Sequence, residues 1–243
     1  MNEKIYFDAL LTDKFKEEGL YLIFPDGNCV SITESSINNY FEKIWHDSSV
    51  FPPHIKKAVD LDFCIHCPGK DLGEEFCAAI RPILPFLEKV DKYMSYDKVT
   101  AVLKTENPAI ISITHTDLQD ALRYVSLLSL MQYCETNRKF WSYYFGVSPI
   151  SNQEQALSQI YLNIFWLKNG DENKTREAID EYSKEIRISD ECLLRRLRLI
   201  CTNDAFLNAY ANTQMSTEFL SMDADNILAM AFKMHNKKLA ETI

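Results

Sequence analysis

Glycine is scarce in this sequence, with 6 among 243 residues. Phosphate-binding loops and turn-rich all-β folds rely on glycine, so its scarcity argues against both and favours helices with bulky packing. No P-loop, G-x-G-x-x-G or H-E-x-x-H motif is present, and no serine stands in a nucleophile elbow. We therefore assign no residues to catalysis. The sequence leaves open whether the protein is an enzyme, and it favours a protein that is not one.

Positive charge and long apolar runs are also lacking. The net charge is −9, which repels phosphate backbones and argues against a nucleic-acid partner. No stretch approaches the roughly 18 to 20 apolar residues that span a bilayer, and the opening "MNEKIYFDALLTDKF" is charged throughout, unlike a signal peptide. We expect a soluble, cytoplasmic protein without a membrane partner, in which the seven cysteines are not a disulfide framework.

Strand signals dominate the first half of the chain and helical signals the second. Alternating apolar residues around the turn sequences "PDGN" and "ENP" predict hairpins at Leu20–Thr33 and Lys98–Thr114. The predicted fold is α+β and predominantly helical, with a small antiparallel sheet from the two hairpins plus a C-terminal helical bundle. We divide it into a β-rich part (1–60), a cysteine knuckle with a helix and the second hairpin (61–115), and a helical part (116–243), in one compact unit.

The helices are predicted from apolar side chains that recur every three or four residues. Ser35 or Ser36 caps a first helix that runs to Trp45. The next pattern, at 72–93, is interrupted by prolines, which must start, kink or split it. Later helices are predicted at 116–134 with Thr116 as its cap, 151–170 with a capping box at Ser151, 173–186, 189–201 with Ser189 as its cap, and 223–239.

Several conspicuous residues have a plain structural interpretation. We expect Cys29, Cys192 and Cys201 to be small core hydrophobes. The arginines of "LLRRLRL" at 193–199 are predicted to lie on a solvated helix edge, with their stems over the core. The aromatic run at 140–145 is expected to pack into the core, or alternatively to form a dimer contact.

The stretch "DFCIHCPGKDLGEEFC" contains Cys64, Cys67 and Cys77. Thiolates three residues apart can face one metal ion, and Cys77 follows at a plausible distance for a third ligand of zinc or of an iron–sulfur cluster. Pro68 fits poorly with a thioredoxin-like redox pair, which needs a helix start. Thiol redox chemistry and buried structural thiols are the alternatives to a metal. The fourth ligand stays open between His66, His54 and Cys134.

The order of these motifs resembles an uncharacterised bacterial family, a domain of unknown function. The matching stretches are Phe24–Gly27, Leu61–Pro68, Cys77, Ser95–Val99, Thr116–Leu122 and Cys134. The resemblance implies that Cys134 is the fourth cysteine, so that Cys64, Cys67, Cys77 and Cys134 would form a four-thiolate site. The chain departs from the family at Ala78 and Glu135, where the family has prolines, and after its last cysteine, where Arg138 and Lys139 stand in place of a longer basic and histidine-containing stretch.

These observations predict a cytoplasmic protein with a cysteine-ligated structural metal site, with zinc as the metal. The site would tether the β-rich part to the helical part. A scaffolding, regulatory or partner-binding role follows, with a protein partner or a second copy of the chain. The alternative is an iron–sulfur protein in redox chemistry or sensing.

Overall fold

The structure is a computed structural model that describes residues 15–45, 51–65, 67–106, 109–148 and 153–222. Three sequence predictions lie outside these ranges: His66 as a ligand, the capping box at Ser151, and the last helix at 223–239.

Four antiparallel strands form one sheet, in the order β2-β1-β3-β4. The strands are β1 (Gly19–Ile23), β2 (Cys29–Thr33), β3 (Lys98–Glu106) and β4 (Ala109–Asp117). Both predicted hairpins are confirmed, and β1 pairs with β3 so that they share the sheet. The fold is α+β and mostly helical, as predicted.

Side chains alternate between two faces of this sheet because the strand period is two. Leu20 and Leu22 of β1 are fully buried in the main core, on the face that the helices cover. Tyr21 points the other way and packs with Phe15 and Val102 in a small second cluster. The sheet thus presents one large apolar face to the rest of the molecule.

Cys29, at the start of β2, is exposed rather than a core hydrophobe. Strand β2 is an edge strand of the sheet. Its neighbours Val30 and Ile32 are buried in the main core. The prediction that Cys29 is also a core residue was therefore wrong.

Two helices follow the first hairpin in the chain. Helix α1 spans Glu34–Trp45 and follows β2 directly. Its cap is Thr33 rather than Ser35 or Ser36, because the Thr33 hydroxyl accepts a hydrogen bond from the backbone N–H of Ser36 at 3.2 Å. Helix α2 spans Pro53–Val59 and begins with a proline, which the first turn of a helix tolerates.

The segment at 72–93 is mostly a series of turns. It contains a 3₁₀ helix at Ala78–Ile80 and the short helix α3 at Leu87–Val90. Pro82 and Pro85 lie between them and remove backbone donors, so the predicted helix cannot run through.

The chain after β4 is less regular than predicted. Strand β4 continues to Asp117, so Thr116 is a strand residue and not a helix cap. Helices α4 (Leu118–Ala121) and α5 (Arg123–Leu127) lead into a π-helix at Leu128–Tyr133, which ends at Cys134. A 3₁₀ helix follows at Arg138–Tyr144. Phe140, Tyr143 and Tyr144 are buried there, as predicted, whereas Trp141 and Phe145 are exposed.

The C-terminal helices are α6 (Gln153–Leu167), α7 (Glu172–Ile200) and α8 (Ala205–Met222). Asn169 and Gly170 end α6 in the left-handed conformation, as predicted. The helices predicted at 173–186 and 189–201 are one helix, α7, and the sequence analysis missed α8. In the part of the chain described, no helix is both long and apolar enough to cross a membrane.

Ser189 lies inside α7 and does not cap a helix. Its hydroxyl donates to the carbonyl of Glu185, four residues earlier, at 3.2 Å. A serine can therefore stay in a helix interior by satisfying its hydroxyl locally, and this is why its cap-like sequence misled the prediction.

Candidate metal centre lined by cysteines

Five of the seven cysteines line one cavity of about 10 Å³. Four of them are those predicted as ligands, Cys64, Cys67, Cys77 and Cys134, and the fifth is Cys192 on α7. All except Cys67 are buried. The cysteines come from separate segments of the chain, so the cavity is a point where the knuckle, the turn segment, the end of the π-helix and α7 meet.

Tight turns hold the first two cysteines. The backbone N–H of Cys67 donates to the carbonyl of Cys64 at 3.1 Å, which closes the C-x-x-C stretch into a turn. After it, the carbonyl of Pro68 accepts from two backbone N–H groups at 3.0 Å. Gly69 packs closely, since a Cβ there would lie 3.5 Å from the Cys67 sulfur and 3.3 Å from the Phe63 ring. These turns and contacts make the stretch around Cys64 and Cys67, which we call the knuckle, compact.

Polar groups surround the sulfurs of the next two cysteines. The backbone N–H of Ala79 favours the thiolate form of Cys77. The backbone N–H groups of Asn137 and Thr136 and the Ser189 hydroxyl act on Cys134 in the same direction. Hydrogen bonds to sulfur stabilise thiolates and tune the metals that they bind.

Burial, in contrast, favours the protonated forms of Cys77 and Cys134. It raises the pKa of Cys77 to about 11 and also raises the pKa of Cys134. Both thiols therefore keep their protons at neutral pH unless a cation replaces them. A metal ion that bound here would release those protons, so its affinity would rise with pH.

Cys192 joins the site through Cys64, with which it shares a hydrogen bond. This hydrogen bond, with the positive charges of Arg196 and Arg195, lowers the pKa of Cys192, while the same contact raises the pKa of Cys64. Cys192 is buried, as predicted, but the sequence analysis missed its place in the site.

The prediction that the arginines of "LLRRLRL" are solvated is wrong for Arg196. Its side chain is completely buried, whereas Arg195 and Arg198 are exposed as expected. Its guanidinium donates to the carbonyls of Ala58, Leu61 and Asp62 at 2.7, 2.9 and 2.7 Å. These carbonyls lie just before the knuckle, so Arg196 attaches the entry to the cysteine stretch to α7.

A buried guanidinium needs a negative counter-charge. Within the described ranges, no carboxylate forms an ion pair with Arg196, and its Nε atom has no acceptor. Its charge acts on the thiols instead, favouring the thiolate forms of Cys77 and Cys192. The protein therefore places a fixed positive charge where bound thiolates would be negative.

The donor set suits a thiophilic metal, although the sulfurs do not yet converge. Among the residues whose positions are described, no three His, Cys, Asp or Glu side chains stand together in metal-binding geometry. Each cysteine sulfur can change its position by rotation about a single side-chain bond. His54, an alternative ligand, is exposed on α2 and is not part of the cavity lining.

A wider cleft of about 470 Å³ adjoins the cysteine cavity. The two spaces share four lining residues: Glu74, Ala78, Tyr133 and Glu135. Ion pairs cross the cleft wall, from Arg81 to Glu74 and from Arg138 to Glu135, both at 2.8 Å. The cysteine cavity therefore adjoins a cleft that is lined by charged side chains.

Comparison with known proteins adds no relative to this description. Searches against protein-family models, curated proteins and solved structures each gave no match. The resemblance to an uncharacterised bacterial family therefore stays a prediction, and the functional argument depends on the cysteine cavity itself.

Proposed function

We propose that this protein binds one zinc ion through Cys64, Cys67, Cys77 and Cys134, and that the ion staples the knuckle to the helical part. The observation that carries the proposal is the meeting of these four thiols at one cavity, from three segments of the chain. Four sulfur ligands are the usual set of a closed structural zinc site.

The size of the cavity favours a single ion over an iron–sulfur cluster. Its volume of about 10 Å³ is that of one water-sized probe. A tetrahedral zinc ion needs no more space than this between its sulfurs, whereas a cluster brings several irons and sulfides of its own. An iron–sulfur cluster is the alternative, and it would colour the protein brown.

The surroundings support thiolates at this position. Polar groups around Cys77 and Cys134 favour the thiolate forms of both residues, and Arg196 supplies a buried positive charge. An ion that binds only the folded chain stabilises it, by about 4.1 kcal/mol when the free ion is at 1,000 times its Kd. The proposed role of the site is therefore structural.

We further infer that the stapled fold serves as a protein-binding module. Four large apolar side chains are at least 49% exposed on two neighbouring elements, the 3₁₀ helix segment and the end of α6: Trp141, Phe145, Trp166 and Leu167. Asn163 joins these elements by donating to the carbonyl of Phe145 at 2.7 Å. Exposed aromatic side chains are typical anchors of protein interfaces.

This binding surface can be tested on the purified chain by light scattering over a range of concentrations. If a second copy occupies the surface, wild type self-associates and a variant with Phe145→Ser and Trp166→Ser does so less. A dimer that is unaffected by both substitutions would show that the surface is not the interface.

The metal content of the anaerobically purified chain tests the zinc site. Wild type should contain one zinc per chain and be colourless. Cys67→Ser and Cys134→Ser should reduce zinc content equally, because each removes one of four ligands, while Cys201→Ser serves as the matched control outside the cavity. A full zinc content in Cys134→Ser would remove that residue from the site, and metal-free wild type would refute the proposal.

A further inference from the structure

We propose that Cys64 and Cys192 form a peroxide-sensitive pair, whose oxidation to a disulfide withdraws Cys64 from the metal site. The formation of the disulfide does not depend on the proposed zinc site, whereas its consequence for zinc does. The proposal assigns a modification site to Cys192, which four-thiolate zinc binding leaves unused.

The contact between the two thiols carries this inference. Cys64 and Cys192 line the same small cavity, where their side chains are in contact, and both are buried, at 8% and 3% exposure. One is on the knuckle and the other on α7, so they are far apart in the chain and adjacent only in the fold.

A polar cleft lies beside the cavity that holds the pair. The cysteine cavity shares Glu74, Tyr133 and Glu135 with the cleft of about 470 Å³, which has a polar lining. Hydrogen peroxide is little larger than water and forms hydrogen bonds with the same polar groups. An oxidant of this class can therefore reach thiols that bulkier reagents cannot.

The chemistry balances with hydrogen peroxide as the oxidant. The Cys192 sulfur attacks one peroxide oxygen, the O–O bond breaks, and the thiol proton leaves with the other oxygen as water, which gives a sulfenic acid. The Cys64 sulfur then attacks the Cys192 sulfur and the S–O bond breaks. The oxygen leaves as a second water, which takes the Cys64 proton when that thiol is free and a proton from solvent when Cys64 is a zinc-bound thiolate. Two thiols and one peroxide thus become one disulfide and two waters.

Two arginines favour Cys192 as the attacking sulfur. Arg195 and Arg196 follow Cys192 by three and four residues on α7, so they lie on the same side of the helix as its sulfur. Their positive charges stabilise the negative charge on Cys192 as it attacks. Cys64 lies on the knuckle and not on the helix that carries these arginines, so we assign it the second step.

The test uses the full chain, purified without oxygen and loaded with zinc. Wild type, Cys192→Ala and the control Cys201→Ala, which removes a cysteine just after the same helix, are treated with hydrogen peroxide. Peptide mass spectrometry then locates the disulfides, and a chromogenic chelator measures released zinc. Circular dichroism before treatment confirms that each variant is folded.

The expected product is a Cys64–Cys192 cross-linked peptide in wild type and in Cys201→Ala, with one zinc released per disulfide. Cys192→Ala should keep its zinc before treatment and lose this cross-link. A disulfide between Cys64 and Cys67 instead, or oxidation without any cross-link to Cys192, would overturn the proposal.

The two proposals fail in different ways. Protein that binds zinc but forms no Cys64–Cys192 disulfide overturns the switch and leaves the zinc site standing. Protein that forms this disulfide but never contains zinc supports the thiol pair and refutes the structural zinc site.

Discussion

Replacement of Arg196 by methionine separates its two roles, as a tie to the knuckle and as a counter-charge to the thiolates. Methionine keeps a long apolar stem and removes the guanidinium. The carbonyls of Ala58, Leu61 and Asp62 then lose donors that stand at 2.7 to 2.9 Å. We expect Arg196→Met to lower both the stability of the fold and its affinity for zinc.

The loss of stability follows from the hydrogen bonds. Hydrogen bonds from a charged donor contribute about 1.5 to 3 kcal/mol each to the free energy of unfolding. Removal of the guanidinium offsets part of their loss, because the free-energy cost of burying the charge disappears with it. The buried carbonyls that lose their donors are neutral, and we expect a net loss of about 1 to 3 kcal/mol. For a chain of this size that corresponds to a decrease in Tm of about 2 to 12 °C.

The loss of zinc affinity follows from the charge. Groups that support metal ligands without touching the metal typically contribute 10- to 100-fold in affinity, or about 1.4 to 2.7 kcal/mol. Arg196→Met should therefore bind zinc about 10 to 100 times more weakly. The exposed Arg198 on the same helix provides the matched control, and Arg198→Met should change stability by less than about 0.5 kcal/mol.

The assay is thermal unfolding of both variants and wild type, with zinc and with a chelator. The difference in Tm between wild type and Arg196→Met should be larger with zinc, because the zinc-bound thiolates need the counter-charge. An equal difference under both conditions would show that Arg196 only ties the knuckle, and a difference as small as that of Arg198→Met would refute both roles.

Two more substitutions test other parts of the fold. Burial, reinforced by Glu218, raises the pKa of Asp190 well above its ordinary 3.8, so the folded chain keeps a proton that the unfolded chain releases. Stability therefore falls as pH rises above the unfolded pKa, so Asp190→Asn should make the pH dependence above about pH 4 less steep, by at most about 1.4 kcal/mol per pH unit, in urea titrations; parallel slopes would contradict it. Gly19 has φ +148°, and a Cβ would clash with the backbone oxygen of Ile32. Gly19→Ala should cost about 1 to 3 kcal/mol or more in the same assay, and more than Gly27→Ala, whose Cβ would meet nothing; equal losses would contradict this explanation.

Local sequence signals were sufficient for the sheet and for three of the cysteines. Alternation around "PDGN" fixed the first hairpin because a two-residue period and a glycine turn leave little choice of register. The C-x-x-C spacing pointed to a shared site for Cys64 and Cys67, since the intervening turn sets their separation. These features depend on neighbours in the chain, which a sequence displays directly.

Features that depend on distant contacts were missed. Cys192 and Arg196 resemble ordinary helix residues, and only the packing of α7 against the knuckle brings them to the cavity. The division of α7 at Ser189 was wrong for the same reason, because a buried helix face outweighs a local cap signal. The π-helix before Cys134 has no sequence signature that we recognise.

X-ray absorption at the zinc edge of the anaerobically purified protein tests the central claim most directly. We expect one zinc per chain with a first shell of four sulfurs at about 2.3 Å. In Cys134→Ser, one of these sulfurs should be replaced by an oxygen or nitrogen, or zinc should be lost. A wild-type first shell without sulfur, or a protein free of zinc, would contradict the assignment of Cys64, Cys67, Cys77 and Cys134 as a metal site.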